Sequence, residues 1–494
     1  MPCGKNIIFE PLERTSVMKK SLLWLSLVLV FVPSWGGNGG LRPNILFIEV
    51  DDLSYEYVGA NGAVYPSTPH IDRLVKEGVY FRDAVAQGMM CGPSRNSLIT
   101  GLYPHSLGFY FNGQMKNLPR GEWTFPAALQ RAGYHTAWIG KCHVRPYIAP
   151  GTNKTEAMKK EMGFDEVWQT LGRGMLCKKV LGGKTKGHDW YLDFLKEKGL
   201  LETFKAECRK PTTLPEDVYL DGFFTRKTID FLQNYHGKKP FFLWLNYSLP
   251  HDPYDVPEAY QIYDPARMKG GTRVKNYTEP EGLVKKTKPA KSERVIRQRQ
   301  AKYCANVAYL DREVGRVLQT LRETGLDTAT VVVFFSDQGL MMGDHERFHK
   351  GTLFRQITDP VLIMVWPGHF REGFVAEGPV ELTDLVRTIL ELAGAEKNDV
   401  ERRPWSFSLM PALITGDKVK RKVAFAEIEG YAMASDGQYR LIRGKDAVLL
   451  FDDHEDPDNL LDIAAEHPEA VERLSKAIDQ WYRLTGEPLP PHSF

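Results

Sequence analysis

One pattern recurs along this chain: a short apolar run stops at charged or imidazole residues, and a segment with helical periodicity follows. N-I-L-F-I-E-V (residues 44–50) stops at Asp51 and Asp52. H-T-A-W-I-G-K-C-H (135–143) ends with Lys141 and His143. P-F-F-L-W-L-N-Y-S (240–248) is followed by His251, and T-V-V-V-F-F-S (330–336) runs into Asp337 and Gln338. Such runs predict buried strands. Between them, helices are predicted over 69–77, with Thr68 as N-cap and Pro69 at the first helical position. Others are predicted over 94–100, over 125–133 behind Thr124, over 220–235 and over 301–324. A further apolar run, V-L-I-M-V-W, begins at Val361. Strands alternating with helices predict an α/β fold with a largely parallel sheet. Ligands bind such sheets beyond the carboxyl ends of the strands. A single Asp after a strand is usually a turn. Four strands delivering polar groups to one edge point to a site.

The polar residues suggest a cation. Asp51, Asp52 and Asp337 are hard oxygen donors, and Gln338 adds a neutral amide oxygen. That set suits Ca²⁺, with Mg²⁺ as the alternative, rather than zinc. No Cys or His cluster has zinc spacing. Two adjacent aspartates without a cation would repel one another.

Composition is that of a globular protein: 43% hydrophobic and 26% charged over 494 residues, enough for a large domain plus a smaller one. The net charge of +2 gives no electrostatic signal for nucleic acid. Six cysteines are too few for a disulfide scaffold of this length. Near the start, Lys19 and Lys20 precede the apolar run 21–32, then Pro33 and a Gly-rich stretch to Gly40. This reads as a secretory signal within residues 1–40, with Met18 as the true start. It is short for a membrane span; a retained anchor helix is the alternative. The expected location is secreted or periplasmic.

Cys91 opens C-G-P-S-R, followed by T-G-L-Y-P-H. This pair resembles the activation motif of the type I, formylglycine-dependent sulfatases. Further segments resemble that family in order: P-N-I-L-F-I-E-V-D-D, G-K-C-H, N-Y-S-L-P-H-D-P-Y, F-F-S-D-Q-G and H-K-G-T-L-F. Ordered motifs spread over hundreds of residues are far more specific than any one of them. The resemblance implies the alkaline phosphatase superfamily fold: a three-layer α/β/α sandwich with a large, mostly parallel mixed sheet. It implies a small C-terminal α+β subdomain with an antiparallel sheet. The expected boundaries are 41–395 for the catalytic domain and 396–494 for the subdomain.

The resemblance also implies roles. Cys91 is converted to formylglycine by a maturation enzyme, and the hydrated aldehyde is the nucleophile. Asp51, Asp52, Asp337, Gln338 and the modified Cys91 hold the metal. Arg95 orients the nucleophile and the carboxylates. Lys141 and Lys350 neutralise the sulfuryl oxygens, His251 protonates the leaving oxygen, and His143 assists release of sulfate. His105 either lines the substrate pocket or is a structural hydrogen bonder. The implied substrate is a sulfate ester, of a carbohydrate by the family's habits. Two alternatives stand beside it: a formylglycine-dependent phosphonate monoester hydrolase or phosphodiesterase, and a non-catalytic sulfated-glycan-binding protein.

Several positions depart from the family pattern. Gln338 stands where Asn or His is frequent, Arg355 where an acidic residue is frequent, and Cys142 where Trp is. Glu49 is a carboxylate inside an apolar strand. The basic stretch 294–299 reads as a solvated loop that could attract an anionic polysaccharide. After about Glu396 short strands are expected: V-A-F-A-E-I-E-G, Q-Y-R-L-I-R-G and A-V-L-L-F-D-D, then a helix over 468–483. Asn153, Asn246 and Asn276 stand in glycosylation sequons. Residues 145–217 match no motif.

Overall fold

Alternate residues of each central strand enter opposite apolar layers, the two-residue period of a strand. In β1 (Asn44–Asp51), Ile45 and Phe47 face one layer while Leu46, Ile48 and Val50 face the other. The computed structural model describes residues 42–486 apart from 116–117, 120, 145–160, 184–188, 285–287 and 291. The signal-like residues 1–40 and the sequon at Asn153 lie outside the described residues.

The main sheet adds β2 (Val79–Phe81), β3 (His135–Lys141), β4 (Glu166–Thr170), β5 (Phe241–Pro250), β6 (Thr330–Ser336), β7 (Leu362–Val365) and β8 (Phe374–Ala376). Its eight strands run in the order β8-β2-β7-β6-β1-β5-β3-β4. Only β7 runs against its neighbours; the rest share one direction. The β1–β5 register slips between Glu49 and Asp51, a bulge that re-aims the last residue of β1.

Helices cover both faces. On one lie α1 (Pro69–Glu77), α5 (Leu220–Asn234) and α6 (Glu293–Glu323), packed through Ile71, Phe224 and Leu310. On the other lie α2 (Cys91–Thr100), α3 (Phe125–Arg131) and α7 (Asp384–Leu392), packed through Leu98, Leu129 and Ile389. Between β4 and α5 sits α4 (Arg173–Leu181). This is the expected α/β/α sandwich. The antiparallel C-terminal sheet runs β9 (Ala424–Ile428), β10 (Tyr431–Ser435), β11 (Tyr439–Arg443) and β12 (Val448–Asp452). Helix α8 (Pro468–Thr485) packs on it through Leu474, Ile478 and Trp481, and Trp481 stacks on Phe425 with centroids 4.9 Å apart.

Several local expectations change. Helix α6 begins at Glu293, not near 301; Ser292 caps it by accepting from the Val295 amide at 3.4 Å. The basic stretch 294–299 is therefore helical, not a loop. Thr68 stands at the N-cap position of α1 with Pro69 following, as expected, but its side chain accepts from no amide of the helix. Its hydroxyl donates to Asp72, and the α6 carboxylate of Asp311 accepts from the His70 and Ile71 amides. Helix α2 starts at Cys91, because Pro93 is tolerated in a first turn. Strand β3 ends at Lys141, so strand alternation does not carry on to His143. Past residue 396 come the short helices Lys397–Val400 and Met410–Ile414; strands resume at Ala424, and β10 was not expected.

A buried ion network joins the two sheets. Arg440 of β11 is paired with Asp359 at 2.7 Å and Asp453 at 2.9 Å, and donates to the Thr358 hydroxyl. Arg355 reaches the same network through Asp359 and the Asp453 carbonyl. Removing one cation from a buried cluster leaves uncompensated carboxylates. Arg440→Met is expected to cost about 3–5 kcal/mol of stability, read as a lowered denaturation midpoint. A change below about 1 kcal/mol, the scale of a surface pair, would contradict the assignment.

Candidate active site

The carboxyl ends of β1, β3, β5 and β6 meet the amino end of α2. Cys91 is the first residue of α2 and is fully buried. The ligand atoms of Asp51, Asp52, Asp337 and Cys91 all lie within 4.8 Å of one another. Asp52 adopts the left-handed backbone at φ 69°, uncommon for a non-glycine residue. Two contacts hold it there: its amide donates to Asp337 Oδ1 at 3.1 Å, and its carbonyl accepts from the Tyr303 hydroxyl at 2.5 Å. Gly140, just before Lys141, has φ 116°, and a Cβ there would stand 2.0 Å from the Asn246 carbonyl oxygen. Only glycine lets β3 approach β5 so closely.

Arg95, one turn along α2, is buried. Its Nε donates to Asp337 Oδ2 at 3.0 Å and its Nη1 to Asn246 Oδ1 at 2.5 Å. Glu49 Oε2 stands 3.2 Å from Nη1, and Asp51 Oδ1 is 3.8 Å from Nη2. Trp244 Nε1 donates to Glu49 at 2.9 Å. Glu49 and Asn246 are thus site residues that the sequence reading did not assign. Glu49 was visible as a misfit in its strand. Asn246 was noticed only as a sequon, and it is buried beneath Arg95. Ser94 adds a third missed contact, donating to the Asp337 carbonyl at 2.6 Å.

Two lysines complete the cluster. Lys141 Nζ pairs with Asp51 Oδ2 and lies 3.9 Å from Cys91 Sγ. Lys350 Nζ pairs with Asp52 Oδ1 and lies 2.7 Å from Cys91 Sγ. Burial alone would raise the Asp51 carboxyl, but Lys141, then His251, Lys350 and Arg95, hold it well below the usual range. Asp337 is pushed up to about 7 by burial and by Asp51. Burial raises Glu49 to about 8 despite Arg95. It also raises the Cys91 thiol, so unmodified Cys91 is no thiolate nucleophile.

The histidines divide. His251 Nε2 stands 3.8 Å from Asp52 Oδ2, while Nδ1 donates to the Asp252 carbonyl at 2.6 Å. That bond fixes the proton on Nδ1, so Nε2 carries one only in the imidazolium. His143 is held well below its ordinary value by burial and then by Lys141. His105 belongs elsewhere: Nδ1 pairs with Glu427 at 2.7 Å, and the ring packs on Tyr103, Trp481 and Tyr482 at the C-terminal subdomain. Its structural-bonder reading fits these contacts; none of them belongs to the acidic cluster.

The residues fit a hard cation. Asp51 Oδ1 and Gln338 Oε1 are buried without a hydrogen-bond partner, a cost that a metal would remove. A second acidic group, Glu56, Asp344 and Asp458, differs: Lys269 Nζ bonds Glu56 at 2.7 Å and Asp458 at 3.2 Å and supplies the positive charge itself.

Buried carboxylates and two lysines thus meet at the carboxyl edge of a largely parallel sheet. The sulfatase family profile matches residues 43–395, and the chain belongs to the sulfatase family. It is by class a sulfuric ester hydrolase. An arylsulfatase of Clostridium perfringens is 26% identical over 89% of this chain and 94% of its own length. An N-acetylglucosamine-6-O-sulfatase of Bacteroides thetaiotaomicron is 26% identical over 78% of this chain and 74% of its own. The phosphonate monoester hydrolase of Agrobacterium radiobacter has the same fold, with a TM-score of 0.72 at 21% identity over 89% of this chain and 95% of that one.

The burial of His143 yields a prediction. Its folded pKa lies below the unfolded 6.5, so the unfolded chain takes up a proton that the folded chain refuses. Its contribution to stability is therefore complete above about pH 6.5 and lost as pH falls below it. Nitrogen NMR of labelled histidine is expected to show a neutral His143 ring at about pH 6, while an exposed histidine titrates. A His143 midpoint near 6.5 would contradict this.

Proposed function

We propose that this protein is an exported, calcium-dependent sulfatase that hydrolyses a carbohydrate sulfate ester through a formylglycine made from Cys91. The observation that carries the reading is the convergence of Asp51, Asp52, Asp337 and Cys91 within 4.8 Å, flanked by Lys141 and Lys350. Asp51, Asp52, Asp337 and Gln338 would hold Ca²⁺, with Mg²⁺ as the alternative. Those residues would hold the ion, whose chemistry there would be Lewis-acid polarisation of the sulfuryl oxygens. Cys91, once converted to hydrated formylglycine, would supply one hydroxyl to attack sulfur as the ester S–O bond breaks, and a second whose deprotonation would re-form the aldehyde and release sulfate. Formation of that aldehyde makes a maturation enzyme a required partner.

The remaining roles belong to side chains. Lys141 and Lys350 bind the anionic oxygens in a water-poor site, where such contacts are strong. His251, as imidazolium, keeps Nδ1 on the Asp252 carbonyl and gives its Nε2 proton to the leaving alcohol oxygen. Neutral His143 accepts the proton of the second hydroxyl. Arg95 positions Asp337 and, through Glu49 and Asn246, locks the floor of the site. The second reading, phosphonate monoester or phosphodiester hydrolysis, draws on the shared fold of the Agrobacterium enzyme.

Matched sulfate monoesters and phosphate diesters with one leaving group separate the readings. The sulfatase reading expects higher kcat/KM on the sulfate; a preference for the diester would overturn it. Chelation is expected to abolish turnover and lower Tm, with Ca²⁺ restoring both; full activity after exhaustive chelation would contradict the metal role. His251→Gln is expected to lower kcat about 100- to 10,000-fold on alkyl sulfates and far less on aryl sulfates, whose leaving groups need no proton. Equal loss on both would remove the acid role.

A further inference from the structure

The basic stretch 294–299, as helix, separates its arginines by face. Arg294 points to solvent, and Arg297 pairs with Glu293 at 2.7 Å. Arg299 turns the other way. Its guanidinium lies 4.5 Å from the Phe348 ring centroid and 5.7 Å from that of Tyr254. Both rings belong to site-bearing segments. Phe348 lies in Arg347–His349, the strand just before Lys350, and Tyr254 lies three residues beyond His251. The Tyr254 ring meets Tyr303 edge-on at 5.9 Å, and Tyr303 holds the Asp52 carbonyl.

Arg299 therefore stands on an aromatic wall that begins at the acidic cluster. Among the described residues, no carboxylate forms an ion pair with it. Asp252, whose carboxyl feels the charge of Arg299, is already paired with His251 at 3.2 Å. Burial would raise the Asp252 carboxyl, yet His251, His349, Lys350 and Arg299 hold it below its ordinary value, so these groups share one electrostatic field. A guanidinium stacked on aromatic rings is pre-organised and weakly hydrated, and its remaining N–H donors suit a planar or tetrahedral oxyanion.

We propose that Arg299 binds a second oxyanion of the substrate, so that the preferred substrate carries another sulfate or carboxylate besides the ester that is cleaved. This deepens the sulfatase reading and rests on it. The subsite belongs to Arg299 on its Phe348–Tyr254 platform.

The test compares glucosamine 6-sulfate with D-glucosamine-2-N,6-O-disulfate on wild type, Arg299→Gln and Arg299→Lys. A 6-sulfated hexosamine linked to a uronic acid serves as a third arm, separating carboxylate from sulfate. Wild type is expected to favour one of the dianionic sugars by about tenfold in kcat/KM, the scale of one charge-assisted hydrogen bond. Arg299→Gln erases that preference through KM, and Arg299→Lys retains part of it. No dianion preference in wild type, or an equal loss on all three sugars in Arg299→Gln, overturns the subsite. If wild type cleaves the monosulfate without preference, the sulfatase reading stands and the subsite falls. If wild type cleaves none of them, the sulfatase reading fails on these sugars, and calorimetric Kd values for the disulfated sugar decide the subsite. A tighter Kd for wild type than for Arg299→Gln supports it, and equal values sink it.

Discussion

The site depends on one buried guanidinium. Arg95 contacts Asp337, Asn246 and Glu49 and stands near Asp51, so it meets the ends of β1, β5 and β6 at once. Without a fixed cation, Glu49, Asp51 and Asp337 could not share one dry space. Burial raises the Glu49 and Asp337 carboxyls, and the neighbouring carboxylates raise them further, an imbalance of crowded negative charge that Arg95 only partly offsets. A divalent cation suits that imbalance, and the orphaned oxygens of Asp51 and Gln338 give it places to bind.

The rest of the fold serves to hold this cluster rigid. The β1–β5 bulge turns Asp51, the left-handed Asp52 is pinned by Tyr303 from α6, and Gly140 lets Lys141 approach. Backbone strain of this kind is retained where surroundings enforce it. The C-terminal sheet is tied on through Arg440 and through His105 with Glu427, so its contacts reach the segment that follows α2. The aromatic wall beneath Arg299 extends the same frame outward from Asp52 through Tyr303 and Tyr254.

Much of this was legible in the sequence, and for identifiable reasons. Strands buried on both faces read as unbroken apolar runs, so the endings at Asp51, Lys141, His251 and Asp337 stood out. The long helix α6 was recognised only from 301, because its first turns are dense in arginine and lack an apolar stripe. Thr68 holds the N-cap position, but the first-turn amides donate to Asp311, far away in sequence, instead of to its side chain. Asn246 and Glu49 lay inside recognised segments without an assigned role; their contacts with Arg95 exist only once β1 and β5 lie side by side. His105 sat in a motif-rich segment, yet its ring turns to Trp481, a contact that no local pattern encodes.

The central claim is that Cys91 is the precursor of the nucleophile and not a buried thiol. The most direct measurement is the mass of the Cys91 peptide in active protein purified from its native producer. The account predicts the mass of an aldehyde in place of the thiol, with activity scaling with the converted fraction. An unmodified thiol throughout a fully active preparation would contradict it.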